Sequence, residues 1–340
     1  MTHLELAALI VGKGSLWLLG ALAVHRLAGA RTSAAHRHLW LAAAIAGLLV
    51  LPVARAALPP VNLAWLPPAA SLGLDAPSGA SVRAPGPIDP NGAAATEAGG
   101  FGAWAGVESP GRDQSSAGGW SRGAWLAWLW FGTSGFLLAR WVRDHLELRR
   151  IARGARAFVP STGARPALDG LALELGSTRL AVHPRVHSPC TFGALRPTVL
   201  LPPSAATWPA GPLRDVLVHE LAHVERRDWL TEQVARVICA LFFFQPLVWR
   251  VASRMAREAE LACDDRVIRS GAAAADYAER LVAFARASHT PGAALAMAGP
   301  SDLSRRIAAL LDPHIRRKAM TRLTFSLILL LTGGLVLAVA

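Results

Sequence analysis

The sequence has 340 residues, of which 53% are hydrophobic and only 17% are charged. Because a soluble domain carries about 25% charged residues, this balance predicts that part of the chain lies in lipid. The cysteines Cys190, Cys239 and Cys263 form no Cys-x-x-Cys pair, which excludes a cysteine-based zinc knuckle and fits a reducing compartment. The net charge of +12 is compatible with three roles: nucleic-acid binding, affinity for anionic lipid, and cytoplasmic membrane flanks.

Four apolar stretches reach or approach the roughly 20 residues needed to cross a bilayer. They cover residues 4–24, 39–58, 123–142 and 323–340. The first has the apolar character of a signal peptide as well, but it lacks a basic start and a clear cleavage site. We therefore interpret all four stretches as transmembrane helices.

The distribution of charge orients these helices. Residues 25–38 contain three arginines and no acidic residue, and arginines also outnumber acidic residues over 140–318. Residues 59–122 contain more acidic residues than arginines. Positive residues favour the cytoplasmic side, so the pattern predicts a multi-pass protein of a bacterial-type inner membrane with its N-terminus outside. Since topology accounts for the basic excess, we expect no direct binding of nucleic acid.

This topology divides the chain into five parts. The parts are two transmembrane helices with a short cytoplasmic loop (1–58), an extracytoplasmic disordered loop rich in Pro, Gly and Ala (59–122), the third transmembrane helix (123–142), a cytoplasmic domain (143–320) and the fourth transmembrane helix (321–340). Only the cytoplasmic part is able to build a sizeable folded domain.

Within the cytoplasmic part, strands precede helices. The segments 171–184 and 188–203 have the pattern of strands broken by turns. A helical pattern then runs from Pro212 through Phe243, and a further helix is predicted over 247–270. Pro246 should end or kink the first of these helices, so the apolar segment around it forms either a buried helical corner or a piece that dips into the bilayer surface.

The segment "HELAH" carries the chemistry. On a helix, His219 and His223 lie on one face and can direct two imidazoles at one ion, while Glu220 lies one position round and can face a water molecule. Two ligands and one general base meet the requirements of a hydrolytic zinc site. The alternative is an amphipathic helix with two surface histidines.

Such a site needs a third protein ligand. The segment "REAELACDDRV" offers Glu258, Glu260, Asp264 and Asp265, and spacing alone does not choose among them. If the chain reverses near Pro246, two straight helices would leave Glu260 about 13 Å from the level of the histidines. We therefore expect the first helix to bend or to end early.

Three segments resemble the zinc metallopeptidase domain of the beta-lactam-sensing signal transducers of the BlaR/MecR type. They are "SPCTFGALRPTVLLP", "HELAHVERRDWL" and "FFFQPLVWRVASRMAREAELACDD". The order of three spans, a cytoplasmic protease domain and a fourth span is similar as well. The resemblance implies a mainly α integral-membrane protein, with a cytoplasmic α+β zincin-like domain of the gluzincin type between the third and fourth spans.

The resemblance also implies roles for individual residues. His219, His223 and Glu260 would bind one zinc ion per chain, and Glu220 would be the general base. Asp264 would support a ligand from behind. Asp228, the last residue of "RRD", would do the same or serve a structural role. Tyr277, the only tyrosine, is either a proton donor to the reacting oxygen or a packing residue.

By the same resemblance, the function would be proteolysis in transmembrane signalling. The substrate would be a cytoplasmic DNA-binding repressor of the winged-helix type, and the strand around Thr191 could pair with it. A homodimer is compatible with the sequence. No Ser-x-x-Lys motif is present, so acylation by a beta-lactam is not expected. Two alternatives are a signalling scaffold with a structural or inactive zinc site, and a membrane processing protease like the CAAX enzymes.

Overall fold

The computed structural model of the protein describes residues 3–29, 32–57, 122–287, 300–318 and 321–339. The prediction of a mainly α protein is confirmed. The helices of eight or more residues are α1 (His3–Ala28), α2 (Ala34–Ala57), α3 (Arg122–Gly154), α6 (Ala210–Arg226), α7 (Asp228–Leu241), α8 (Pro246–Arg269), α9 (Ala274–Ala287), α10 (Pro300–Leu311) and α11 (Arg322–Val339). The shorter helices α4 (Arg165–Asp169) and α5 (Ala172–Leu175) lie before the sheet.

Four of these helices, α1, α2, α3 and α11, coincide with the predicted membrane spans. Within the described residues, α2 alone is long and apolar enough over Ala34–Leu51 to cross a bilayer by length and composition, and Leu323–Gly334 in α11 is a shorter apolar segment. The crossing of a bilayer by any of the four helices, and their orientation, stay predictions. The predicted extracytoplasmic loop lies almost wholly outside the described residues.

A small four-stranded sheet supports the helix that carries the histidine motif. Its strands are β1 (Arg156–Ala157), β2 (Arg179–Val182), β3 (Cys190–Phe192) and β4 (Thr198–Leu201), and their order in the sheet is β1-β2-β4-β3. β4 is fully buried and pairs in parallel with β2 and antiparallel with β3, so β3 lies at an edge. The predicted strands in 188–203 are thus confirmed. The prediction for 171–184 is wrong in its first half, where the short apolar run forms α5 and its Leu175 packs, partly buried, against the core cluster of the sheet and α6.

The predicted long helix over 212–243 is interrupted. α6 ends at Arg226, Arg227 adopts the left-handed conformation (φ 55°, ψ 37°), and α7 begins at Asp228. A left-handed non-glycine residue costs roughly 1–2 kcal/mol. Asp228 provides compensation, because the break turns its carboxylate back toward His223 and Arg226, to which it is hydrogen-bonded. The expectation that the first helix ends early is therefore confirmed, and the helix ends at Arg226.

Helix α8 joins two apolar clusters. Its first half contributes Val248, Val251 and Met255 to a cluster with α1, α2 and α7, and its last turns contribute Val267 to a cluster with the sheet, α6, α9 and α10. The prediction of a helix over 247–270 is confirmed. The acidic segment lies between the two clusters, where α8 faces α6.

The corner between α7 and α8 packs against two of the predicted spans, α1 and α3. Gln245 is buried and donates from Nε2 to Ser15 Oγ of α1 (2.9 Å). Two side chains of α3 donate to backbone carbonyls at the end of α7: Trp130 to Leu241 (2.9 Å) and Ser134 to Ala240 (3.0 Å). The part of the corner that carries Gln245 is therefore buried against the other helices. Contact of the corner with a bilayer stays a prediction.

Candidate metal centre

The two histidines of the motif lie on the buried face of α6 and point toward α8. His219 is 8% exposed, and the side chain of His223 is 16% exposed. The carboxylate of Glu260 lies opposite, with Oε2 3.5 Å from Nε2 of His219 and Oε1 3.5 Å from Nε2 of His223. The Glu260 side chain is 39% exposed, so this side of the cluster is open to solvent. The alternative of two surface histidines is wrong, because the structure buries both rings in a polar cluster.

Each imidazole is held from behind through its other nitrogen. Nδ1 of His223 lies 2.8 Å from Oδ2 of Asp228. Nδ1 of His219 lies 3.3 Å from Oδ1 of Asp264 and 3.2 Å from the Tyr277 hydroxyl. This arrangement places the proton of each neutral ring on Nδ1 and leaves Nε2 as the atom that faces Glu260. Asp228 and Asp264 are thus the carboxylates that lie behind His223 and His219.

Tyr277 belongs to this support. Its hydroxyl donates to Oδ1 of Asp264 (2.9 Å), and the residue is 3% exposed. It is therefore neither a simple packing residue nor a group that faces the open side of the cluster. Tyr277 holds the carboxylate of Asp264 in place, and that carboxylate in turn supports the imidazole of His219.

Arg306 on α10 neutralises the two carboxylates of α8. It donates to both oxygens of Asp264, from Nε (2.7 Å) and Nη2 (2.6 Å), and its Nη1 lies 3.0 Å from Oε2 of Glu260. Burial alone would raise the pKa of Glu260, but its hydrogen bond with His219 and the charges of Arg306 and His223 hold that pKa well below its usual range. Sequence spacing had not singled out Arg306, which lies 42 residues beyond Asp264.

Glu220 lies on the same buried turn as the histidines and is 6% exposed. Thr191 of the edge strand β3 donates from Oγ1 to Oε2 of Glu220 (2.7 Å). The same strand carries Cys190, whose pKa is raised to about 12 by burial and by the negative charge of Glu220. Cys190 is therefore a neutral thiol at physiological pH, which argues against a cysteine nucleophile.

Cys263 is a further potential metal donor that the sequence motifs did not indicate. Among the described residues, one ligand atom from each of His219, His223 and Cys263 forms a group in which all distances are within 4.8 Å. The sulfur is fully buried and accepts a hydrogen bond from Nη2 of Arg226 (3.1 Å). Its position one turn after Glu260 could have been noticed from the spacing.

Negative groups shift the protonation of the imidazoles in the metal-free protein. Burial alone would lower the pKa of His219, but Cys263 and the hydrogen bonds with Asp264 and Glu260 raise it to about 10. The pKa of His223 is raised well above its ordinary value in the same way, by Cys263 and Asp228. The cluster therefore favours positive charge between its nitrogens and carboxylates, as a site for a divalent cation must.

The donor set suits zinc. Two imidazole nitrogens, a carboxylate and a nearby thiol are ligands that zinc accepts, and both rings have the carboxylate support that metal-ligating histidines usually show. A pair of histidines with a glutamate beside them on one helix is the arrangement of a metallopeptidase.

Comparison with known proteins gives the same class. Residues 121–310 match the family Peptidase_M56, described as BlaR1 peptidase M56. The match covers more than half of the chain, and the chain belongs to this family. The resemblance to the BlaR/MecR type is thereby confirmed, and residues 121–310 form a peptidase domain of this family.

One curated relative is the "Regulatory protein BlaR1" of Bacillus licheniformis. It is 34% identical over 91 residues, which is 27% of this chain and 15% of that protein. The alignment thus spans a small part of the relative's length.

Proposed function

We propose that this chain is a membrane-embedded zinc endopeptidase that cleaves a cytoplasmic protein in transmembrane signalling. The observation that carries the proposal is the position of the Glu260 carboxylate, 3.5 Å from Nε2 of each histidine, with a carboxylate behind each ring. His219, His223 and Glu260 would hold one zinc ion per chain. When bound there, zinc supplies Lewis acidity toward a peptide carbonyl and lowers the pKa of water.

The protein residues supply the rest of the chemistry. Glu220 accepts a proton from water and can return it to the leaving amine. Thr191 keeps that carboxylate in place and lies on the edge strand β3. An extended substrate can add to such an edge through backbone hydrogen bonds, which would bring its scissile bond alongside Glu220.

A cytoplasmic location of the site is supported by the loop between α1 and α2. The arginine-rich segment 25–38 contributes Arg37 to an ion pair with Glu258, two residues before Glu260. Since basic loops favour the cytoplasm, a site in contact with this loop should lie on the same side. We infer that the substrate is a soluble DNA-binding protein, a winged-helix repressor, as the BlaR/MecR resemblance implies.

The proposal is tested with the full chain in lipid nanodiscs, by measuring bound zinc and the cleavage of a winged-helix repressor encoded near its gene. We expect one zinc ion per chain and a single cut that a chelator prevents. His219→Ala should lose both zinc and cleavage, whereas His187→Ala, an exposed histidine of the same domain, should lose neither. Bound zinc without cleavage of any substrate supports the scaffold alternative, and cleavage confined to membrane peptides supports the processing protease.

Zinc affinity should increase with pH. His219 has a pKa of about 10 in the metal-free protein, so it must release a proton to bind the metal at neutral pH. Below that pKa the apparent affinity should increase about tenfold per pH unit for each proton released, or about a hundredfold between about pH 6 and pH 8 for His219 alone. Competition with a chromophoric chelator measures this slope. Asp264→Asn removes a carboxylate that raises the pKa of His219, so the affinity should stop increasing at a lower pH than in the wild type. An affinity independent of pH would contradict the prediction.

Thr191→Val should lower the cleavage rate by roughly tenfold without loss of zinc. Valine keeps the shape of the side chain but removes the donor that holds Glu220, and general base catalysis contributes about 10²–10⁴-fold only from a well-placed base. Cleavage rate and bound zinc are measured in parallel. Thr191→Ser should restore the rate, and Thr198→Val on the neighbouring strand serves as the control. An unchanged rate in Thr191→Val would show that Glu220 does not need this hydrogen bond.

A further inference from the structure

The start of α2 contacts residues that neighbour the metal cluster on two different helices. Arg37 and His38 are adjacent in sequence, and both side chains are largely buried, with 12% and 6% exposed. Arg37 reaches the helix that carries Glu260, and His38 reaches the carboxylate that supports His223. The turn follows directly on the arginine-rich loop and begins the helix with the clearest membrane-span character.

The contact of Arg37 is a buried ion pair. Its Nε donates to Oε2 of Glu258 (2.9 Å), and His25 at the end of α1 lies 2.8 Å from the other carboxylate oxygen. The same guanidinium donates from Nη1 to the carbonyls of Gly29 (2.9 Å) and Thr32 (2.6 Å) in the loop. Burial would raise the pKa of Glu258, but the hydrogen bonds from His25 and Arg37 lower it, so the carboxylate is charged. Separating Arg37 from Glu258 would leave a buried charge without its partner, which is costly.

The contact of His38 reaches the other helix of the site. Its Nε2 lies 3.7 Å from Oδ1 of Asp228 and 3.5 Å from the Thr231 hydroxyl. The second oxygen of Asp228 is the one that holds Nδ1 of His223. His38 thus borders Asp228 at the carboxylate oxygen that does not hold His223.

Apolar packing joins α2 to the same two helices. Its buried residues follow a helical stripe, and they pack against α7 and α8 residues including Ile238, Val251 and Met255. The stripe is formed by Leu41, Ala44, Ile45 and Leu48. Close-packed side chains transmit displacement rather than absorb it, so a shift of α2 must move its first turn relative to the cluster or carry both helices with it.

We propose that Arg37 and His38 are positioning residues that connect α2 to the metal ligands. Arg37 acts on Glu260 through Glu258, and His38 acts on His223 through Asp228. A displacement of α2 within the bilayer thereby changes the distance between the imidazole and carboxylate ligands. This inference rests on the proposed metal site and adds the path by which the membrane segments control it.

The first test measures zinc affinity and the absorption spectrum of bound Co²⁺ in the full chain in nanodiscs. Arg37→Gln and His38→Gln should each weaken zinc binding by roughly tenfold, the lower end of the effect of outer partners of metal ligands, and should shift the cobalt bands. Arg37→Lys keeps the charge but not the paired donors, so we expect an intermediate loss. His36→Gln on the same turn and the exposed Arg26→Gln are the matched controls and should bind as the wild type does.

The second test changes the bilayer instead of the protein. Lipids with short or long acyl chains alter the tilt of a spanning helix through hydrophobic mismatch. Wild-type zinc affinity should differ between thin and thick nanodiscs, and the difference should vanish in the Arg37→Gln/His38→Gln double variant. A purely structural role of the two residues would not produce this dependence.

The outcomes separate the two proposals. If His219→Ala binds zinc as well as the wild type does, the proposed metal site itself is wrong. If His219→Ala loses zinc but Arg37→Gln and His38→Gln retain wild-type affinity and cobalt bands, the positioning role is wrong. If a variant does not fold, as judged by its helix content, the wild-type comparison in two bilayers still decides, and equal zinc affinity in both overturns the inference.

Discussion

Replacement of Glu220 by glutamine should reduce cleavage by roughly a hundredfold to ten-thousandfold while zinc binding is retained. The carboxylate is 6% exposed, follows the first histidine directly and is held by Thr191 at 2.7 Å. A general base contributes about 10²–10⁴-fold, and glutamine has nearly the same shape but no basic oxygen pair. Because Glu220 makes no contact with either Nε2 that an ion would use, the variant should bind one zinc ion per chain.

Glu225→Gln is the matched control. This residue lies five positions later on the same helix and is exposed, so its replacement should leave both zinc and cleavage unchanged. Single-turnover cleavage and zinc content of the three proteins are compared at one pH. Equal cleavage by wild type and Glu220→Gln would remove the general-base role, and loss of zinc in Glu220→Gln would show that this residue is a ligand or a structural support instead.

The sequence predicted the motif-bearing helix and α8 because both have strong local signals. Helical spacing puts His219 and His223 on one face of α6. Glu260 and Asp264 are also four residues apart and therefore share one face of α8. What spacing could not locate was the break at Arg227. Arginine has no local preference for the left-handed conformation, and the contacts of Asp228 with His223 and Arg226, which lie outside the local pattern, compensate for it. Without this break, Glu260 would not reach the histidines.

The residues that sequence reasoning missed are joined by long-range contacts. Arg306 comes from α10 and Arg37 from α2, and each pairs with a carboxylate of α8. The chain has many arginines, and nothing in the local pattern distinguishes these two from arginines on the surface. The short α5 was mistaken for a strand because a run of four residues cannot show a helical period.

Glu260 and Cys263 are the two candidates for the third protein ligand of the metal. Both lie one turn apart on α8 beside the same two imidazoles. If both bound the metal together with His219 and His223, four protein ligands would close the site, as in structural zinc centres. If Glu260 alone completes the set, one position stays free for water and the site is catalytic. The identity of the third ligand therefore decides between the peptidase and the scaffold.

We expect Glu260→Ala to weaken zinc binding by more than about a hundredfold, beyond the 10–100-fold effect of an outer partner, and to abolish cleavage. Cys263→Ala should change zinc affinity by less than about tenfold, because the sulfur already accepts a hydrogen bond from Arg226 while Glu260 faces both Nε2 atoms. Substitution with Co²⁺ distinguishes the two directly, since a coordinating thiolate gives a charge-transfer band and a carboxylate does not. A cobalt–thiolate band that disappears in Cys263→Ala would indicate a closed four-ligand site, and the membrane domain would then signal by contact rather than by proteolysis.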